Sequence, residues 1–355
     1  MKKIGVMTLV IALLNVTCCI VQAKIAYIRP DVLTTVAPLI QDEMQALGLQ
    51  AAWPRELYQK VMTEEAFTSQ AHADALALRY CQAHDDTMII LICSHETVVS
   101  AEIFSMMAGE NSTVVYVKNI PLSCVGWCNL HSFFDCQWYG SNFDGAKNLT
   151  LHVGLLRYPS DKSDAVLAEK SGQAKSCAIT FVTVPEKVLL LAQTCFNNNS
   201  LHFLQYARQA QFRQFNDLIV KFKKFLHAGA MNPDCFCIDT SAVLAAYGIR
   251  DCRDFDFIHH GYDYLQVQCP NGSELNSHNG GSLRYHSISK DELIFNPSYH
   301  FSYQGIKFTA LHEVMAMKKK RNSKKDRNDI KLVDEFFKKN YGKPFSVGMH
   351  THIIQ

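Results

Sequence analysis

The chain has 355 residues, of which 48% are hydrophobic and 19% are charged, and its formal net charge at pH 7 is +2. This length and composition suit two globular domains with hydrophobic cores and exclude a disordered chain. The nearly neutral charge lacks the basic excess that attracts nucleic acid, so we expect no nucleic-acid partner.

The N-terminus has the pattern of an export signal. Two lysines precede an apolar run at residues 4–21, and residues 21–23 have the small-residue spacing of a signal peptidase site. We expect residues 1–23 to be a signal peptide. The alternative is a signal anchor that attaches the protein to a membrane through residues 4–22, because about 20 apolar residues span a bilayer. Either interpretation places the protein outside the cytoplasm: secreted, in a Golgi-like lumen or in a periplasm.

Cysteines are frequent after this leader. The chain has 13 of them, and all but Cys18 and Cys19 lie between Cys81 and Cys269. In an oxidising compartment several are expected to form disulfide bonds, and the odd number after the leader predicts at least one free or intermolecular thiol. The alternative for one segment is a zinc site made by Cys124, Cys128, His131 and Cys136. Sequons compatible with a glycoprotein occur at Asn111, Asn148, Asn198 and Asn271.

The N-terminal domain, residues 24–175, is predicted to have an α/β fold. Residues 24–48 have the pattern of a short strand followed by an amphipathic helix. The continuous apolar run at residues 88–93 is typical of a strand that is buried on both faces. A helix near residues 98–107 and a second strand at residues 114–117 would complete a βαβ unit, whose strands run parallel.

The middle of the chain is predicted to be less regular. Residues 120–175 contain turn-forming residues that indicate loops around short strands. A strand at residues 178–184 follows, and apolar residues at helical spacing predict one long helix at residues 201–226, so residues 176–230 form a helical connector. Further on, Gln304 and Gly305 lie between alternating aromatic residues and predict a β-hairpin.

Two aspartates near the middle of the C-terminal half indicate a metal site. A short strand is predicted to lead into a polar turn, residues 239–241, in which Ser241 caps a helix that ends at Gly248. The next strand contains Asp254 and Asp256, and residues two apart in a strand point the same way. Two carboxylates on one face suit a divalent cation, Mg²⁺ or Mn²⁺, that bridges the phosphates of a nucleotide. The simpler alternative is a solvated pair on an exposed strand.

A second charged segment lies closer to the C-terminus. A helix with one apolar face is predicted to end in a basic cluster that includes Lys318 and Arg321. The following helix has Lys325, Asp326 and Asp329 near its start, where acidic side chains stabilise the helix dipole.

Together, these two segments resemble the nucleotidyltransferase fold superfamily, in particular its LicD and fukutin-like branch, which is implicated in transferring phospho-groups to glycans. The resemblance covers residues 235–332. It implies an α+β nucleotidyltransferase-like domain with a small mixed sheet at residues 231–345, before a tail at residues 346–355. It also implies a metal-dependent transferase that moves a nucleotidyl or phospho-sugar group from a nucleotide or nucleotide-sugar donor onto a glycan or lipid-linked acceptor.

The resemblance also assigns candidate roles to single residues. Asp254 and Asp256 match the metal-binding pair, and with Asp326 they are the candidate catalytic residues. The candidate substrate-binding residues are Ser241, Arg250, Arg253, His278, Lys318, Arg321 and Lys325. Where the family has a Gly-Gly or Gly-Ser turn before the helix, this chain has residues 239–241. The base that activates the acceptor is left open between Glu274 and Asp263.

Two other functions remain open at this point. In one, the N-terminal βαβ unit binds a nucleotide-sugar, Asp254 and Asp256 bind its metal, and the protein is a glycosyltransferase. In the other, the charged clusters only stabilise the fold, and the protein is a secreted, non-catalytic binding protein. Absence of divalent-cation binding would favour the non-catalytic binding protein.

Overall fold

The computed structural model describes residues 69–95, 103, 104, 107, 112–134, 139–140, 149–157, 178–208, 210, 212–270, 272–281 and 283–346. The predicted leader, and the strand and helix predicted before residue 49, lie outside the described residues. Among the described residues, no helix combines the length and the apolar character that crossing a bilayer requires.

The first sheet is built from the N-terminal half of the described chain. Its strands are β1 (Thr87–Ser94), β2 (Thr113–Leu122), β3 (Tyr139–Gly140), β4 (Leu149–Arg157) and β5 (Ala178–Val182), in the order β2-β4-β1-β5-β3. Every neighbouring pair is antiparallel. Strands β1 and β2 run in the same direction, but β4 lies between them. The parallel pairing expected of an α/β region is therefore replaced by antiparallel pairing, because a strand from the segment predicted to be irregular inserts into the sheet.

The helices of this half whose bounds lie within the described residues are α1 (Ser69–Ala83), α2 (Cys124–Phe133), α3 (Pro185–Cys195) and α4 (Asn198–Tyr206). Strand β1 is buried along its whole length, as its apolar run predicts. Leu191 of α3 and Leu201 of α4 belong to the same hydrophobic core as Leu91 of β1. The segment predicted to be a connector thus contributes a strand and two helices to the first core.

The second sheet belongs to the C-terminal half. Its strands are β6 (Phe236–Asp239), β7 (Phe255–His259), β8 (Leu275–Ser277), β9 (His300–Tyr303) and β10 (Ile306–Thr309), in the order β8-β7-β6-β10-β9. Pairs β6–β7 and β9–β10 are antiparallel, whereas β7–β8 and β6–β10 are parallel. The predicted small mixed sheet is confirmed, and the described chain is α+β.

The helices of this half are α5 (Arg213–Ala228), α6 (Ser241–Ala246), α7 (Leu265–Gln268), α8 (Lys290–Phe295), α9 (Leu311–Arg321) and α10 (Lys324–Tyr341). Helix α5 buries one apolar face, and its Phe222 packs against Phe236 and Phe257 of the sheet. Helix α10 buries Val333 and Phe337, as its spacing predicts.

The predicted long helix is interrupted between α4 and α5. Ala207 is extended, with φ −66° and ψ 145°, and the N–H of Arg208 donates to the carbonyl of Tyr247 at 3.1 Å. A Cβ atom added to Gly248 would lie 2.0 Å from the carbonyl oxygen of Arg208. The apolar spacing continues through this break, so periodicity alone did not reveal it.

The predicted hairpin is confirmed in β9 and β10. Gln304 and Gly305 have φ values of 51° and 77°. Two consecutive residues with positive φ are the pattern of a type I′ turn, whose twist matches that of the strands it joins.

Nine cysteines lie among the described residues. Seven are buried, and Cys124 and Cys128 are exposed on α2. The predicted disulfide bonds are not found among these nine residues, and Cys136 and Cys177 lie outside the described chain.

Candidate functional site

Polar side chains form a row across three strands of the second sheet. Asp256 of β7 is opposite Asp239 of β6 on one side and Asn276 of β8 on the other. Directly opposed residues of neighbouring strands point to the same face, about 5 Å apart. The row therefore brings two carboxylates and an amide to one end of β6.

The carboxylate of Asp256 is held by donors from three chain segments. Thr240 donates its hydroxyl to Oδ2. At Oδ1, His278 Nε2 lies 2.9 Å away and Asn276 Nδ2 donates at 3.2 Å. Burial acts to raise the pKa of Asp256, but the hydrogen bond and the charge of His278 outweigh it, so the pKa is lowered.

Asp254 lies beside this carboxylate. Asn276 Nδ2 is 3.4 Å from Asp254 Oδ2, so both aspartates share one donor and point to the same side, as the alternation of the strand predicts. Burial and the like charge of Asp256 raise the pKa of Asp254, and Lys325 opposes this shift. Two carboxylates are thus forced together at the start of β7.

Asp239 forms a second, deeper pair with His286. His286 Nε2 is 3.0 Å from Asp239 Oδ2, and both side chains are almost completely buried. Burial acts to raise the pKa of Asp239, but the charge and hydrogen bond of His286 outweigh it and lower the pKa to about 2. Asp239 Oδ1, His286 Nδ1 and Glu313 Oε2 have no hydrogen-bond partner within the described residues.

Sequence reasoning missed Asp239, His286 and Glu313 as parts of this site. The one local signal is a charged residue, Asp239, at the end of a strand whose other residues are apolar. His286 and Glu313 are brought there by long-range packing, and neither stands in a recognisable motif.

Thr240 occupies the sharp turn between β6 and α6. Its φ of 58° and ψ of −120° are unusual for a β-branched residue, and it is 4% exposed. The turn therefore has the backbone that glycine favours, although the side chain is threonine. The hydroxyl of Thr240 is then positioned to donate to Asp256.

The predicted cap of α6 differs from the observed one. Ser241 is the first residue inside the helix and is buried, whereas Thr240 holds the N-cap position and makes no side-chain cap hydrogen bond. The positive φ of Thr240 turns its hydroxyl to the neighbouring strand instead of to the helix.

Two basic residues of α9, Lys318 and Arg321, lie in an ion-pair network with α10. Lys318 Nζ is 2.8 Å from Asp329 Oδ2, and Arg250 forms a two-pronged contact with the same carboxylate at 2.7 and 2.9 Å. Arg321 holds Asp326 in the same forked way at 2.9 and 2.7 Å. These contacts support a structural part for Arg250 and Lys318, and their substrate-binding role stays a prediction.

Asp326 also belongs to the start of α10. It forms a capping box with Ser323, whose hydroxyl donates to Asp326 Oδ2 at 2.6 Å. Its carboxylate is fully buried, which acts to raise its pKa. The hydrogen bonds from Arg321 and Ser323 outweigh burial, so the pKa is lowered. These contacts support a structural role for Asp326. Its predicted catalytic role stays a prediction.

Arg321 connects this network to the aspartates of the sheet. Its pKa is raised first by its hydrogen bonds to Asp326, and Asp239 and Asp256 contribute to the same shift. Arg253 and Lys325 are exposed near the same end of the sheet. Arg321 and Lys325 thus act electrostatically on the carboxylates of the sheet.

The two carboxylates considered as the base are both exposed. Glu274 forms an exposed ion pair with Lys221 at 2.8 Å, and Asp263 is exposed in the segment before α7. Neither has a hydrogen bond to Asp254 or Asp256 within the described residues.

Asp254 and Asp256 offer carboxylate oxygens, the ligands that Mg²⁺ prefers. Within the described residues, no group of three or more His, Cys, Asp or Glu side chains is placed to hold a metal ion. Mg²⁺ does not need such a group, since it usually keeps several waters and binds one or two carboxylates together with substrate phosphates. A cation at Asp254 and Asp256 would also relieve the like-charge repulsion that helps to raise the pKa of Asp254. The residues present therefore fit Mg²⁺ or Mn²⁺.

Comparison with known proteins gives no match, whether to a family model, to a curated protein or to a solved structure. The site is therefore interpreted from its own geometry.

Proposed function

We propose that this protein is a metal-dependent transferase of the nucleotidyltransferase type, which moves a nucleotidyl or phospho-sugar group onto a glycan or lipid-linked acceptor. The observation that carries the proposal is the pair Asp254 and Asp256, which share the amide of Asn276 and repel each other. The order of strand, sharp turn, helix and Asp-bearing strand supports the nucleotidyltransferase-like topology.

The two aspartates are proposed to hold the cation. When bound, Mg²⁺ or Mn²⁺ would bridge phosphate oxygens and offset the charge that develops during in-line displacement at phosphorus. Asn276 and Thr240 orient the carboxylates, because each donates to Asp256. A fixed carboxylate loses little freedom when it binds an ion, which favours binding.

Two cations are proposed to contact the phosphates of the donor. Arg321 has its Nε and Nη2 occupied by Asp326, which fixes the plane of the guanidinium group. Lys325 is exposed and acts on Asp254 electrostatically. Arg250 and Lys318 are proposed to act indirectly. Lys318 holds α10, and with it Asp326, against α9, and Arg250 holds α10 against the segment between α6 and β7.

The proposal is tested by calorimetric titration of the full chain with Mn²⁺, alone and with a panel of nucleotides and nucleotide-sugars. Asp254→Asn and Asp256→Asn each remove one charge with little change in shape. The matched control is Asp85→Asn, which makes the same chemical change at an exposed turn before β1.

We expect saturable Mn²⁺ binding that is at least about tenfold weaker in both site variants and unchanged in the control. A donor that binds only in the presence of Mn²⁺ would identify the substrate class. Equal binding by the wild type and both site variants, with all proteins folded, would overturn the proposal and favour the non-catalytic binding protein.

A further inference from the structure

A cleft opens at one end of the second sheet. Its volume is about 510 Å³, which is within the range of small-molecule binding sites. Three parts of the chain line it: the C-terminal end of α5, the segment that leads into β6, and the start of β10 with the hairpin turn before it. The cleft is therefore built from elements of one sheet and the helix that packs on it.

The cleft and the carboxylate site lie at opposite ends of β6. Pro233 lines the cleft and comes just before this strand, whereas Asp239, opposite Asp256, is its last residue. The strand has four residues, and an extended chain of that length spans about 13 Å. A small ligand in the cleft is thus separate from the aspartates.

The inner wall of the cleft is apolar. Leu226, Met231 and Ile306 line it, and all three also belong to the hydrophobic core of the second sheet. Tyr264 adjoins this wall, because its hydroxyl donates to Met231 Sδ at 3.9 Å, and its side chain is half exposed. An apolar group that packs on this wall is removed from water, which favours binding.

The outer wall carries two basic side chains, Lys223 and His227. They are exposed and one turn apart on α5, so they lie on the same side of the helix. The ion pairs of α5 within the described residues are made by Arg213 and Lys221, so neither residue has a carboxylate partner there. Burial lowers the pKa of Lys223, and no described carboxylate opposes this shift. An anion in the cleft would supply the missing counter-charge.

These basic side chains are not needed to complete the end of α5. The N–H groups of residues 229–231 donate to the carbonyls of residues 225–227 at 3.0 to 3.1 Å. Ala230 has a φ of 46°, the left-handed conformation in which many helices end. The backbone therefore satisfies these carbonyls, and Lys223 and His227 are available to a ligand.

We propose that this cleft binds an alkyl phosphate monoester, whose alkyl group packs on Leu226, Met231 and Ile306 and whose phosphate contacts Lys223 and His227. A phosphate monoester carries a charge of about −1.5 to −2 at pH 7, which two neighbouring basic groups can balance. The site is concave and has two basic residues, which suits a single molecule and not a membrane surface. It is independent of the proposed transferase function.

The test is calorimetric titration of the full chain with octyl phosphate, in a buffer with a chelator so that the aspartates hold no cation. Butyl phosphate and inorganic phosphate measure the contribution of the alkyl chain. Lys223→Met removes the charge and keeps most of the length of the side chain. The matched control is Lys224→Met, the same change at an exposed neighbour that does not line the cleft. Circular dichroism melting verifies that each variant is folded.

We expect saturable binding of octyl phosphate that is about tenfold weaker in Lys223→Met and unchanged in Lys224→Met and Asp256→Asn. Octyl phosphate should bind at least about tenfold more tightly than butyl phosphate, because each fully buried methylene contributes up to about fourfold. In protein with ¹³C-labelled methionine methyl groups, the resonance of Met231, assigned by its loss in Met231→Leu, should shift during the titration.

Four results would overturn the proposal. They are no saturable binding, equal weakening in the two lysine variants, an unshifted Met231 resonance, and loss of binding in Asp256→Asn, which would place the ligand at the carboxylates. Binding to vesicles that contain phosphatidic acid, without binding of soluble octyl phosphate, would also overturn it and indicate a membrane surface.

Discussion

The two sheets bury polar side chains in different ways. In the second sheet, the polar groups collect at the end of β6, where three strands present aspartates and an asparagine, and cations of α9 and α10 lie opposite. In the first sheet, the ion pair between Lys118 and Asp74 and the hydrogen-bonded side chains of Ser94 and His152 lie within an antiparallel core. Charged groups that collect at the ends of strands suit the binding of ions. Isolated polar groups in a core each need a hydrogen-bond partner within the protein.

The largest expected effect is on the free energy of unfolding, and it should differ between the two buried lysines. Lys118 is 2.6 Å from Asp74, and we expect Lys118→Met to lower the free energy of unfolding by about 3–5 kcal/mol, because it removes a cation that contacts a buried carboxylate. Lys318→Met should cost less, about 1–3 kcal/mol, because Asp329 keeps both contacts with Arg250.

Urea unfolding monitored by circular dichroism measures both values. Equal losses in the two variants would contradict the view that the second sheet shares its charges in a network. Double variants with Arg250→Met would then show whether the charges of α9 and α10 are coupled.

An intermediate effect is expected at Thr240. Thr240→Ala should lower stability by about 1–3 kcal/mol, because it removes a hydrogen bond to the carboxylate of Asp256 and keeps the positive φ. Thr240→Gly removes the same hydrogen bond but relieves the backbone, so it should be about 1 kcal/mol more stable than the alanine variant. Thermal unfolding of the two variants makes the comparison. An alanine variant at least as stable as the glycine variant would show that the turn is unstrained.

The smallest effect concerns the pH dependence contributed by the His286–Asp239 pair. Burial acts to lower the pKa of His286 in the folded protein, but Asp239 outweighs burial and raises it. The stability that His286 contributes is therefore complete below about pH 6.5, and it is lost as the pH rises through the raised pKa. The pKa of Asp239 is lowered to about 2, so its contribution is present above about pH 4 and is lost on further acidification.

The advantage of wild type over His286→Gln should therefore be greatest between about pH 4 and pH 6.5, and it should shrink by on the order of 1 kcal/mol towards pH 9. Urea unfolding across this range, with both proteins measured at each pH, isolates the pair from the other histidines. A constant difference between the two proteins would contradict the assignment.

The sequence predicted the elements whose signals are local. The hairpin at Gln304 and Gly305 needs only two neighbouring residues with positive φ, and helix α10 follows from apolar spacing with acidic residues near its start. The same-side arrangement of Asp254 and Asp256 follows from the period of a strand.

The rest depends on contacts between distant segments. Strand β4 was not predicted, and its insertion between β1 and β2 changes the pairing of the whole first sheet. His286 reaches Asp239 across 47 positions of the chain, and Ser94 reaches His152 across 58. Neither distance leaves a periodic signal in the sequence, because long-range pairing is decided by packing and not by local propensity.

The close passage of the chain over Gly248 constrains how this protein can change over time. A methyl group at Gly248 would collide with the carbonyl of Arg208, and the φ of 78° disfavours other residues. That carbonyl belongs to the break after α4, whose Phe203 stacks on Phe301 of the second sheet while its Leu204 packs in the first core. Descendants of this sequence are thus free to vary on the surface of either sheet, but glycine at position 248 must persist for as long as the chain crosses there.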